Sequence, residues 1–157
     1  MTGQIARERF TKAIFELVDE TFDRVQGIYL DKGTALFETL ATVSAEEASR
    51  RIAPTCACIP AQVEHTAFYL ELLVRVASGE EVPRIDWQAT WQRTGVTPEE
   101  WAALQARLRA AQQGVFALMD RTPAWNDVRV IGGAIGMVAH TAYHLGEIRQ
   151  GLGVLRG

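Results

Sequence analysis

Thr97-Pro98-Glu99-Glu100-Trp101-Ala102-Ala103-Leu104-Gln105-Ala106-Arg107-Leu108 decides the fold class of this chain. Thr97 is a helix N-cap residue, and Pro98 stands at the first helical position, where its missing N–H leaves nothing unsatisfied. Glu100 is placed to return a hydrogen bond to the cap. Beyond this start, Trp101, Leu104, Leu108, Ala111, Val115 and Leu118 recur three and four residues apart. Such spacing makes one apolar stripe on a long helix, the seam of a bundle.

The same period extends on both sides. Toward the C-terminus a helix is expected to begin at Asn126 or Asp127 and run to about Gln150, where Gly151 and Gly153 break it. Toward the N-terminus a long helix is expected over residues 55–78. Pro60 fits only in its first turn, which moves the start toward Cys58, and Gly79 ends it. Ser44-Ala45-Glu46-Glu47 reads as a capping box for a short helix ending near Pro54. In the first helix, starting near Gln4, the apolar residues Ile14, Leu17, Val18, Phe22, Val25, Ile28 and Tyr29 recur at helical spacing, with Gly33 as its stop. No segment alternates with period two, and no Asn-Gly or Asp-Gly hairpin, internal repeat or linker interrupts the chain. The expectation is an all-α protein: a four-helix bundle with one short extra helix, residues 1–157 forming one domain.

The chain is 157 residues long, enough to bury a substantial core, and its 48% hydrophobic and 22% charged content suits an ordinary globular protein. Arg and Lys alternate with Glu and Asp to a net charge of −3, so no basic stripe is present for nucleic acid or an anionic membrane. The first residues lack the apolar core of a signal peptide and no stretch is long enough to span a bilayer, so a cytoplasmic location is expected. Cys56 and Cys58, one residue apart, would close only a strained ring if oxidised. They are expected to be free, small buried packing residues, with Cys58 also placed to line an approach to the site at His65.

The chain has three histidines, and two of them frame His140-Thr141-Ala142-Tyr143-His144. On a helix the i, i+4 spacing puts both imidazoles on one face, one turn apart. No residue from Met137 to Leu145 carries a fixed charge, so the pair lies in an apolar setting where buried imidazoles need partners. The third, His65, lies in the long helix before it. If the two helices are neighbours, His65, His140 and His144 can converge on one divalent metal and leave a coordination position open for chemistry. Helical histidines at a solvated edge are the other reading of the same residues.

Several segments resemble the DinB/YfiT-like superfamily of small bacterial four-helix proteins (unrelated to the DNA polymerase that shares the name). The strongest is His140-Thr141-Ala142-Tyr143-His144-Leu145-Gly146-Glu147-Ile148-Arg149-Gln150, which resembles the closing signature of that superfamily. The stretch Cys58-Ile59-Pro60-Ala61-Gln62-Val63-Glu64-His65 is similar to its first-histidine segment, and Asp86-Trp87-Gln88-Ala89-Thr90-Trp91 to its helix-joining region. The resemblance covers most of residues 35–152 and fills all three positions of the histidine triad. It implies a divalent transition metal on His65, His140 and His144, commonly in a homodimer. Relatives include thiol-dependent enzymes, such as mycothiol-dependent isomerases and bacillithiol S-transferases, and metal-dependent hydrolases.

A metal held by three neutral imidazoles keeps its full charge and lowers the pKa of a coordinated water or thiol. The resulting expectation is an enzyme acting on a small molecule, with zinc, nickel or iron and a low-molecular-weight thiol, working as an S-transferase. A metal-dependent hydrolase and a non-catalytic binder serving a stress response are the alternatives. Glu147, three residues after His144, continues the histidine face and is the candidate catalytic carboxylate, to orient an imidazole or handle a proton. Glu64 points about 100° away from His65. Tyr69 and Tyr143 lie at helical spacing from the histidines, either as core or as hydroxyl donors. Trp87 and Trp91 fall in the long connection over residues 80–96 and are expected to plug the open end of the bundle, with one indole able to wall a pocket. Gly132, Gly133, Gly136 and Gly146 leave room on the last helix for a neighbouring helix or for a ligand.

Overall fold

A computed structural model of the chain describes residues 6–122 and 125–157. Among these residues there are six α-helices and no strand: α1 (Arg7–Phe22), α2 (Leu36–Leu40), α3 (Ala45–Ser49), α4 (Ile59–Ala77), α5 (Pro98–Arg121) and α6 (Val128–Arg156). A single 3-10 helix, Trp87–Trp91, lies between α4 and α5. α4 packs along α5 and against α6, and α1 against α6. Ile14, Val18 and Phe22 of α1 meet Val63, Ala67 and Leu70 of α4, Leu104, Leu108 and Val115 of α5, and Met137, Leu145 and Ile148 of α6 in one buried apolar cluster.

The helix starts follow their local chemistry. The Thr97 hydroxyl accepts from the Glu100 N–H at 3.2 Å while the Glu100 carboxylate accepts from the Thr97 N–H at 2.8 Å, a complete capping box. Ser44 accepts from the Glu47 N–H at 3.1 Å and Asp127 from the Arg129 N–H at 2.8 Å. α4 begins at Ile59 with Cys58 as its N-cap, which places Pro60 in the first turn, as required. The expected beginning of α1 near Gln4 lies outside the described residues. On α5 the buried seam ends on Met119 instead of Leu118, which is only half-buried.

Three helix ends and one additional helix depart from the expectation. α1 stops at Phe22 instead of continuing through Tyr29. Glu20, fully buried, accepts from the backbone N–H groups of Gln26, Ile28, Tyr29 and Leu30 at 2.7–3.0 Å, so the chain wraps round this carboxylate and leaves the helix. Gly27 (φ 84°) and Gly33 (φ 79°) supply the left-handed conformations of that wrap. Ile28 and Tyr29, placed by spacing on a buried stripe, are exposed. α3 stops at Ser49, well before Pro54, and α2 adds a second short helix closed by Glu38 accepting from the Ala35 N–H. α6 passes through Gly151 and Gly153 to Arg156, because tertiary contacts of the buried Gly151–Leu152 turn outweigh the roughly 1 kcal/mol cost of each glycine.

Candidate metal centre

α4 and α6 carry the three histidines to one point. His65 lies mid-way along α4, where the neighbouring buried positions Gln62, Thr66 and Ala67 turn this face inward. His140 and His144 lie one turn apart on α6. His140 Nε2 stands 3.2 Å from His65 Nε2 and 3.2 Å from His144 Nε2. One ring nitrogen from each of the three lies within 4.8 Å of the others, so the group could hold a metal ion. Two imidazole nitrogens on a tetrahedral ion with bonds of about 2.0–2.1 Å are separated by roughly 3.3 Å, which matches the observed spacing.

The outer nitrogens are anchored. The Thr90 hydroxyl donates to the Trp87 carbonyl at 2.7 Å, so toward His65 it can only accept, and His65 Nδ1–H donates to it at 2.8 Å. His144 Nδ1–H donates to Gln62 Oε1 at 2.6 Å, with Glu147 Oε2 at 3.3 Å as a second acceptor. Both rings are thereby held in the tautomer whose Nε2 lone pair faces the cluster. His140 has no such anchor among the described residues: its buried Nδ1 finds no partner there, and its ring stacks on Tyr69 at 3.9 Å. A single Nε2–H on His140 cannot satisfy two converging lone pairs at once, whereas a cation satisfies all three nitrogens.

Electrostatics keep the rings neutral. Burial, reinforced by the neighbouring His144 against an opposing pull from Glu147, lowers the His65 pKa from 6.5 to about 4. Burial, His144 and His65 lower His140 to about 4 as well. His144 is lowered by burial, against Glu147, which favours the charged form. Neutral imidazole is the form that ligates metal.

Around the cluster, the indoles do more than cover a core. Trp91 stacks on the His65 ring at 4.1 Å between centroids, and Trp87 packs edge-on against Phe68 at 5.9 Å. The expected loop is thus a 3-10 turn that supplies both a ring cover and the Thr90 hydroxyl. Ion pairs hold the following segment to α4: Arg93 binds Glu64, and Arg107 bridges Glu71 at 2.7 Å and Glu64 at 3.5 Å. Glu64 accordingly serves the outer face, away from the histidines. Tyr143 is exposed, with its ring edge-on to His144.

Beside His144 opens a cavity of about 870 Å³ whose walls include Gln62, Trp91, Tyr143 and Glu147. Cys56 lines it and is exposed, not the buried packing residue that was expected. Cys58 does not line it, because it is buried with its thiol donating to the Arg93 carbonyl at 3.2 Å. Close helix packing does not explain the glycines of α6. Among the described residues a Cβ at Gly132, Gly133 or Gly146 meets nothing within 4 Å, and one at Gly136 only the Tyr69 hydroxyl at 4.0 Å. Gly151 is the close approach, where a Cβ would lie 2.8 Å from Ile52 Cδ1.

Sequence reasoning missed Gln62 and Thr90. Gln62 carried a signal, a lone polar residue three positions before His65 on an apolar face. Thr90 carried none, since its contact depends on how the connection folds back over α4. No family model, curated protein or solved structure matches this chain.

Proposed function

We propose that this protein is a metal-dependent enzyme of the DinB/YfiT-like four-helix-bundle type, acting as a thiol-dependent S-transferase. His65, His140 and His144 hold a divalent zinc, nickel or iron ion. The observation that carries the reading is the convergence of the three histidines, with His140 Nε2 at 3.2 Å from both His65 Nε2 and His144 Nε2 and with His65 and His144 oriented by Thr90 and Gln62. A metal bound there supplies Lewis acidity and lowers the pKa of a thiol or water brought to it. The chain's own residues orient the ligands, cover the His65 ring with Trp91 and shape a cavity for a small molecule. Glu147 is already engaged beside His144 and orients that imidazole. A nucleophile that ionises readily, such as a thiol, therefore suits this site, since it needs no strong unengaged base. By the same resemblance the protein is a homodimer.

Metal-dependent hydrolysis is the second reading, favoured by the Glu147 carboxylate lining the cavity next to His144. Metal content of tag-free protein by mass spectrometry, beside His144→Ala, tests the shared premise. About one ion per chain, lost in the variant, is expected, and a wild type that stays metal-free after exposure to several divalent ions ends both readings. Incubating loaded protein with low-molecular-weight thiols plus an electrophile, in parallel with generic esters, then separates them. Thiol consumption marks the transferase and ester turnover the hydrolase. Ligand binding without turnover marks a non-catalytic, stress-response binder.

A further inference from the structure

The cavity beside His144 follows α6 from Tyr143 to Leu155, so it is a slot with the histidine cluster at one end. From His144 to Gly151 the helix rises about 10 Å. At Gly151 the chain after α3 crosses over: Ile52 sits against the bare glycine backbone, and Arg50, two residues earlier, lines the slot at that end. The walls between are largely apolar, among them Ile52, Ile59, Trp91, Ile148 and Val154. Only two lining residues carry a fixed charge, Glu147 next to His144 and Arg50 at the far end. The nearby carboxylate of Glu47 is taken by Arg156 at 2.7 and 3.0 Å. Arg50 makes no ion pair or side-chain hydrogen bond among the described residues, while its planar fork matches a carboxylate.

We propose that this slot binds an amphipathic carboxylic acid, with its carboxylate on Arg50 and its apolar body directed toward His144. The inference rests on reading the histidine cluster as the reaction centre, and it names the substrate class of that site. Charge sets the direction. Arg50 is the one fixed cation among the lining residues, and Glu147 at the cluster end offsets part of the charge of an ion held there, so the carboxylate is drawn to the Arg50 end of a slot that is otherwise apolar. The acid's far end, about 10 Å from its carboxylate, is then the part presented to the histidines.

Calorimetric titration of the full-length protein, zinc-loaded and chelator-treated, with octanoate and with 1-octanol tests this. Octanoate is expected to bind at one per chain in both forms, with octanol several-fold weaker. Arg50→Gln is expected to weaken octanoate about tenfold, and Arg50→Lys to retain most of the affinity. Metal content, measured on the same samples, is expected to be unchanged in both variants, which separates failure of this proposal from failure of the metal centre. Equal affinity for octanol, or undiminished octanoate binding by a folded Arg50→Gln, overturns the proposal. So does octanoate binding that vanishes with the metal, since the carboxylate would then sit on the ion.

Discussion

Each histidine has two ring nitrogens, and which one faces the cluster depends on what the other touches. Thr90 and Gln62 make that choice for His65 and His144, by hydrogen bonds of 2.8 and 2.6 Å. Thr90→Val and Gln62→Leu keep size while removing the acceptor. Each is expected to lower metal affinity about 10- to 100-fold without removing a ligand. Competition against a chromophoric chelator measures it, and wild-type affinity in both variants would show that ring orientation is set by packing alone. At this scale the ligand pair His140 and His144 was legible from its i, i+4 spacing, because a helix turns a spacing into a direction. Thr90 was not, because 25 residues separate it from His65 and no local period links them.

At the scale of an element, α1 shows how one side chain overrides a pattern. Apolar recurrence runs on past Phe22, yet Glu20 draws four backbone N–H groups onto its carboxylate and ends the helix. Burial by itself raises the pKa of this group. The N–H donors of Tyr29, Ile28, Leu30 and Gln26 outweigh it and bring the pKa from 4.5 down to about 2. A pKa lowered on folding means that the ionised carboxylate stabilises the native state. This contribution is complete above about pH 4.5 and is lost as pH falls toward 2. Glu20→Gln is expected to cost about 2–3 kcal/mol near neutrality and to flatten the stability profile over that acid window. Urea denaturation at a series of pH values reads both effects, and a variant with the wild-type acid profile would remove Glu20 as their source. Sequence period failed here because it registers which residues are apolar, whereas the backbone followed an ionised oxygen.

For the whole molecule, the proposed ion joins elements that the chain separates by 75 residues, His65 on α4 and His140 on α6. Because the unfolded chain does not preform this site, metal binding is linked to folding. At a free zinc concentration about 100-fold above Kd, native stability is expected to rise by about 2.7 kcal/mol. Differential scanning calorimetry should show a higher Tm that depends on metal concentration, reverses with chelator and is absent in His144→Ala. A Tm indifferent to metal would place the histidines among packing groups. Local signals along the chain were enough for the all-helical class, the starts of α4, α5 and α6, and the three histidines as a candidate set, since capping, proline position and 3.6-residue spacing are local properties. It took the packed helices to show that α4 lies beside α6, that Gln62 and Thr90 orient the imidazoles, and that Arg50 faces the slot leading to them. Those facts depend on which buried surfaces meet, and contacts between residues far apart in the chain leave no period to read.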